Sequence, residues 1–310
     1  MHPGVHRHED LIGPRAVALT TSNLDAIETA VRVGDLGALA RADGHFAVTA
    51  REGNTVRLAR TIGLPLRYFV AKLFHGPFLV VSDRIDAIHA WCEGERIAWQ
   101  FDPFYTRMVP AHHLVEVEQI GCPDPNPVYR RFFTPPAADE AATVEELGEA
   151  YARESLESLR SWLGTVPTDA PIALAFSGGI DSTAVFLLAR RALADLGRDP
   201  GQILAYTLDL GGGADAAQAE AAMAELGCLA QWKALRPRET ELDLEEAISV
   251  IEDYRPLDVE CAAASLALLR GIGRLRPDIR HLLDGDGGDE DWKSYPLEDS
   301  DLTISSVLKK

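Results

Sequence analysis

The chain has 310 residues, 46% apolar and 25% charged, enough material for one large or two ordinary folded domains and too apolar for a disordered segment. Its net charge of -18, from 48 acidic against 30 basic residues, argues against a long nucleic-acid footprint, which needs clustered Lys and Arg. No apolar run spans a bilayer, and Met1-His2-Pro3-Gly4-Val5-His6 lacks the blocks of a signal peptide, so a cytoplasmic location off the membrane is expected.

Up to about residue 135 the pattern is strand-like. Arg15-Ala16-Val17-Ala18-Leu19, His45-Phe46-Ala47-Val48-Thr49, Thr55-Val56-Arg57-Leu58-Ala59 and Pro77-Phe78-Leu79-Val80-Val81 are apolar runs of strand length. Asp43-Gly44 and Glu52-Gly53-Asn54 supply turn chemistry, and Leu36 to Leu39 predicts a short helix. Prolines at 123, 125, 127, 135 and 136 then break regular structure, and the composition changes to Ala, Glu and Leu at helical spacing. Two domains are expected, 1–135 and 136–310.

The second half reads differently. Leu147, Tyr151, Leu156, Leu159 and Leu163 recur near a helical period, predicting an amphipathic helix from Val144 to Leu163. Pro171-Ile172-Ala173-Leu174-Ala175-Phe176 predicts a strand and Ser182 to Leu196 a helix; Ile203-Leu204-Ala205-Tyr206-Thr207-Leu208 and Ala214 to Leu226 repeat the pair. Strands alternating with helices predict an α/β fold, a doubly wound parallel sheet whose ligands sit at the carboxyl ends of the strands.

Between the first such strand and its helix stands Ser177-Gly178-Gly179-Ile180-Asp181-Ser182. The glycines let backbone approach a phosphate, free N–H groups form an anion nest, and the helix N-terminus adds a favourable dipole. Ser177 and Ser182 can donate hydroxyl hydrogen bonds, while Asp181 would repel a bare phosphate and makes sense with Mg²⁺ between them. A Ser-Gly-Gly turn with an Asp can also merely start a helix. Strand, turn, spacing and helix nonetheless agree here.

About a hundred residues on, His281-Leu282-Leu283-Asp284-Gly285-Asp286-Gly287-Gly288-Asp289-Glu290 reads as a strand end and a tight glycine loop carrying four carboxylates. Such like charge is costly unless a cation or donors offset it. Asp181 and Asp289 together could hold a metal on the β- and γ-phosphates and neutralise charge on a leaving pyrophosphate. A solvated acidic turn is the alternative; the spacing is not that of an EF-hand.

Together these segments resemble the asparagine synthetase and β-lactam synthetase family. Its phosphate loop, the pyrophosphatase or PP-loop, is shared with GMP, NAD and argininosuccinate synthetases and with several tRNA-modifying enzymes, and grips the pyrophosphate that leaves during adenylation. The acidic loop is similar to the family's Leu-Leu-Ser-Gly-Glu-Gly-Ala-Asp-Glu, with Asp284 in place of Ser and Asp286 in place of the first Glu, while Gly285, Gly287, Asp289 and Glu290 match. Glu252-Asp253-Tyr254-Arg255-Pro256 looks like the family's substrate-side segment. In the first half, Gly44-His45-Phe46-Ala47-Val48, Arg60-Thr61-Ile62-Gly63-Leu64-Pro65-Leu66-Arg67-Tyr68 and Val80-Val81-Ser82-Asp83 follow the order of its glutaminase domain.

The resemblance implies a β-rich, Ntn-hydrolase-like first domain of the class II glutamine amidotransferase type and a PP-loop second domain using ATP and Mg²⁺. Ser177, Gly178, Gly179, Asp181, Ser182, Asp284, Gly285 and Asp286 would bind nucleotide, and backbone near Thr207 and Leu208 would meet adenine. Asp181 and Asp289 would hold metal, and Asp181, Asp289 and Glu290 would serve catalysis. Two departures follow. The glutaminase nucleophile is an N-terminal Cys, but His2 stands there and the first Cys is Cys92, so the first domain is expected to be structural and the nucleophile to be ammonia or a substrate amine. Family members also continue past the acidic loop with a lysine-bearing helical stretch, and the glycine-rich segment that usually follows is here Asp291-Trp292-Lys293-Ser294-Tyr295-Pro296. Either the chain is a piece of a longer one, a homo-oligomer or partner subunit completes the site, or Lys293 or another local cation takes that role.

The function expected is an amide-forming ligase that adenylates a small-molecule carboxylate. Adenylation with another acceptor, as in tRNA modification, and a degenerate nucleotide-binding scaffold are the alternatives.

Overall fold

The computed structural model describes residues 7–13, 16–20, 22–73, 76–118, 126–135 and 142–288. The chain divides into two units, Met1–Glu140 and Ala141–Lys310, each with cores of its own.

In the first unit, β1 (Arg7–Asp10) and β2 (Val17–Leu19) precede helices α1 (Leu24–Val33) and α2 (Leu36–Ala40). Next come β3 (Gly44–Glu52), β4 (Thr55–Arg60), β5 (Arg67–Leu73), β6 (Gly76–Ser82), α3 (Ile85–Gly94), β7 (Arg107–Met108), β8 (His113–Glu118) and β9 (Val128–Arg131). One sheet runs β1-β6-β5-β7 and the other β2-β3-β4-β8-β9. Strand alternation sends every second side chain inward. Tyr68, Leu79 and Val81 of the first sheet meet Ala47, Val56, Leu58, Val115 and Val117 of the second in one buried cluster, so the sheets pack face to face.

The alternate residues face outward onto helices. Phe46, Val48 and Ala59 pack under Ile27, Ala30 and Val31 of α1 and Leu39 of α2. Phe69, Ala71 and Val80 pack under Ile88 and Cys92 of α3. The layers are helix, sheet, sheet, helix. The strand-like reading of this half had no place for α1 and α3. Their signals are local all the same: Asn23 caps α1 by accepting from the Asp25 N–H at 2.8 Å, and Gly34 ends it at φ 73. Asp43-Gly44 does not turn a hairpin. It opens β3 beside β2, where Gly44, at φ 110, has the Ala18 backbone oxygen against its Cα.

The second unit contains α4 (Val144–Thr165), β10 (Ile172–Ala175), α5 (Ile180–Asp195), β11 (Ile203–Leu208), α6 (Asp215–Glu225), β12 (Trp232–Leu235), α7 (Leu244–Ile251), α8 (Pro256–Leu275) and β13 (His281–Leu283). Thr143 opens α4 with a capping box, its hydroxyl accepting from Glu146 N–H while Glu146 accepts from Thr143 N–H. The strand order is β12-β11-β10-β13, all parallel. Ile172, Leu174, Ile203 and Ala205 bury one face of the sheet against Leu163 of α4, Phe186 and Leu193 of α5 and Met223 of α6. Ala173 and Tyr206 bury the other face against Ile272 of α8, on which α7 packs through Ala247. Helices cover both faces, which makes the sheet doubly wound. No helix among the described residues is long and apolar enough to cross a membrane.

The chain leaves β10 toward β11 and β12, then returns through α8 to place β13 on the other side of β10. The order of winding therefore reverses between β10 and β13. In an open parallel sheet that reversal opens a crevice at the carboxyl ends of the two strands, where their following loops diverge.

Candidate functional site

Both motifs singled out in the sequence emerge at that crevice. Ser177-Gly178-Gly179 follows β10 and runs into α5, placing Asp181 and Ser182 in the first turn of the helix; Asp284-Gly285-Asp286 follows β13. A cleft of about 300 Å³ is lined by Ser177, Gly179, Asp181, Ser182, Thr207, Leu208, Asp284, Gly285 and Asp286. Gly178 is not among its lining residues. Asp289 and Glu290 lie outside the described residues.

The two loops are in backbone contact. A Cβ on Gly285 would stand 2.8 Å from the Ser182 amide nitrogen and 3.0 Å from the Asp181 carbonyl carbon. The two phosphate-loop glycines differ. Gly178 has φ 76, and its missing Cβ would stand 2.7 Å from Ala219 Cα on α6, so this glycine serves a helix packed against the turn. Gly179 meets only the Ser177 hydroxyl oxygen, at 3.2 Å, and remains open toward the cleft. A side chain is therefore sterically excluded at Gly178, whereas Gly179 faces the cleft with room beside it.

Hydroxyls tie the loop to itself. Ser177 N–H donates to Ser182 Oγ at 3.3 Å, Gly179 N–H donates to Ser177 Oγ at 3.2 Å, and the two hydroxyl oxygens are 3.2 Å apart. These are long bonds, at the weak end of the hydrogen-bond range. Behind the loop, the buried Thr207 hydroxyl donates to Phe176 O and accepts from Trp232 Nε1 at 2.8 Å, which locks β10 to β11 and β12 where the cleft begins. The Thr207 side chain is therefore committed to the scaffold.

Four carboxylates, Asp181, Asp215, Asp284 and Asp286, line the cleft, with no Lys, Arg or His among the described lining residues. Burial pushes the Asp284 carboxyl above the usual carboxylate range, and the charge of Asp286 acts in the same direction. Asp215 was not named from the sequence, although an Asp at a helix start after Gly211-Gly212-Gly213, at a strand's carboxyl end, is a readable signal. No group of three or more His, Cys, Asp or Glu among the described residues could close around a metal. The donor set suits Mg²⁺ in another way, since that ion typically takes one or two carboxylates and completes its shell with phosphate oxygens and water. Asp181 presents one such carboxylate to the cleft.

Residues 164–308 match the family model for asparagine synthase, just under half of the chain and including both loops. The match indicates an ATP-using, amidating or adenylating unit of the PP-loop kind over those residues. Among curated proteins there is no match. Among solved structures, the NH3-dependent NAD synthetase from Campylobacter jejuni subsp. jejuni NCTC 11168, in complex with the nitrate ion, is similar at 17% identity and a TM-score of 0.33. The likeness covers 47% of this chain and 60% of that one, so the chain spans less than two thirds of that protein's length.

Proposed function

We propose that the second unit is an ATP-dependent amide-forming ligase of the asparagine synthetase type, activating a carboxylate as its acyl-adenylate. The observation that carries this reading is the meeting of the Ser177–Ser182 loop and the Asp284–Gly288 loop at the switch point, inside the segment that matches the asparagine synthase model.

The N–H groups of Ser177 and Gly179, held only by long bonds to hydroxyls, would turn to phosphate oxygens, with the start of the 16-residue helix α5 adding its dipole. Asp181, with Asp289, would hold Mg²⁺. When bound, that ion supplies neutralisation of charge on the phosphate oxygens. Adenine would lie against backbone at Thr207 and Leu208. A substrate carboxylate oxygen attacks the α-phosphate in line, pyrophosphate leaves, and ammonia or an amine then attacks the acyl carbon and releases AMP. One carboxylate oxygen thereby ends in AMP.

The first unit is read as a glutaminase-like domain serving as scaffold. Its helix–sheet–sheet–helix layering supports the glutaminase-like part of this reading.

The test is a panel of acids labelled in the carboxylate oxygens, incubated with ATP, Mg²⁺ and ammonia or an amine. Label recovered in AMP supports the reading, whereas label in inorganic phosphate or ADP formation would point to an acyl phosphate and sink it.

A further inference from the structure

Asp215 lines the cleft of the second unit from the first turn of α6, and no hydrogen bond or ion pair joins its side chain to another described residue. The other carboxylate in the connection from β11 to α6 is committed to the fold. Asp209 accepts from the Gly211 N–H at 2.8 Å and from Arg236 Nε at 3.0 Å, which ties the loop to the end of β12.

The topology decides which part of a nucleotide Asp215 can reach. In the order β12-β11-β10-β13 the phosphate loop follows β10, and β11 and β13 flank that strand on opposite sides. Asp284 and Asp286 follow β13, whereas Asp215 follows β11. Ala219 lies one helical turn beyond Asp215 on the same face of α6, and its backbone packs against Gly178 of the phosphate loop. Asp215 thus stands on the helix that connects the end of β11 with that loop. With adenine at Thr207 and Leu208 and the phosphates on the loop, the ribose lies between the two.

An ionised carboxylate only accepts hydrogen bonds. Phosphate oxygens offer it no donor and repel it, whereas the ribose 2′- and 3′-hydroxyls are adjacent donors that two carboxylate oxygens can take together. In dinucleotide-binding parallel sheets an Asp or Glu takes a ribose hydroxyl in the same way. We propose that Asp215 is a specificity-determining residue that accepts from the ribose hydroxyls of ATP and makes the cleft selective for ribonucleotides. The assignment rests on the reading of this cleft as an ATP site.

Negative charge in the first turn of a helix also has a structural use, so the test reads selectivity as well as affinity. It is calorimetric titration of the full chain and of Asp215→Ala with ATP, 2′-deoxy-ATP and 3′-deoxy-ATP, each with Mg²⁺. Purine riboside triphosphate, which keeps the ribose and lacks the adenine amino group, serves as the control. We expect the unaltered chain to bind ATP about tenfold or more tightly than at least one deoxy form. Asp215→Ala should bring ATP down to the affinity of that deoxy form while leaving the deoxy form's own affinity nearly unchanged, a pattern that a loss of helix stability does not produce. Equal binding of ATP and both deoxy forms, selectivity that survives in Asp215→Ala, or a preference for ATP over purine riboside triphosphate that the variant abolishes would overturn the assignment and leave the cleft an ATP site. No binding of any of these nucleotides would overturn the ATP reading together with it.

Discussion

Gly288 lies directly against the Asp181 carboxylate: a Cβ placed on the glycine would overlap Asp181 Oδ1 and Cγ. The loop after β13 therefore closes on the first turn of α5 with bare backbone, and any larger residue must displace either the loop or the carboxylate.

We expect Gly288→Ala to lower adenylation about as strongly as Asp181→Ala, roughly a hundredfold. Overpacking should cost the fold only about 1–3 kcal/mol. Activity measured beside circular dichroism separates the two effects. Full activity in a folded Gly288→Ala protein would show that the position of Asp181 does not matter.

The two glycines of the phosphate loop should part company. Gly178→Ala combines positive φ with a clash against Ala219 backbone, so it should destabilise the second unit by about 1–3 kcal/mol or more in urea unfolding. Gly179 has φ -74 and space around it, so Gly179→Ala should leave stability nearly intact and weaken ATP binding instead. Equal stability losses would remove the distinction.

Thr207→Val keeps the shape of a buried side chain while leaving Phe176 O and Trp232 Nε1 without their partner. The expected loss is about 1–3 kcal/mol. Trp232→Phe removes the same bond from its other end, so the double variant should lose less than the sum of the two. Strict additivity in denaturant melts would show that the two groups do not interact.

Much of this arrangement is written locally. The alternation of strand and helix from Ile172 to Glu225 follows from apolar periodicity, and Ser177–Ser182 is recognisable because a glycine turn sits between a buried strand and a helix. The pairing of β13 with β10 is not local: Ile172 lies opposite His281, and nothing in a three-residue strand specifies its neighbour. That pairing creates the switch point and brings Gly285 onto Ser182. The packing of Gly178 against the α6 backbone at Ala219 was not legible for the same reason, since those residues are distant in sequence. In the first half, β-rich patterning hid α1, whose apolar face of Ile27, Ala30 and Val31 is narrow and set among polar residues.

Asp284 makes stability depend on pH in an unusual direction for an acid. Its carboxyl is raised in the folded state by burial and by Asp286, so the folded protein holds that proton more tightly than the unfolded chain. Stability contributed by the protonated form is present below the ordinary carboxylate range and is lost as pH rises through the raised value. Asp284→Asn should therefore stabilise the unliganded protein at neutral pH, by no more than about 1 kcal/mol for a half-exposed group, and make no difference at pH well below that range. Melting curves across pH check this; a variant less stable at neutral pH would reverse the sign.

An acyl-adenylate formed as proposed in the cleft between β10 and β13 must also return to ATP when pyrophosphate is supplied. Exchange of radiolabelled pyrophosphate into ATP, with Mg²⁺, across amino acids and small carboxylic acids tests it most directly. The expected result is exchange that requires one acid or a narrow class of acids and disappears in Asp181→Ala. Measurable ATP binding with no exchange for any acid, or exchange that survives in Asp181→Ala, would contradict it.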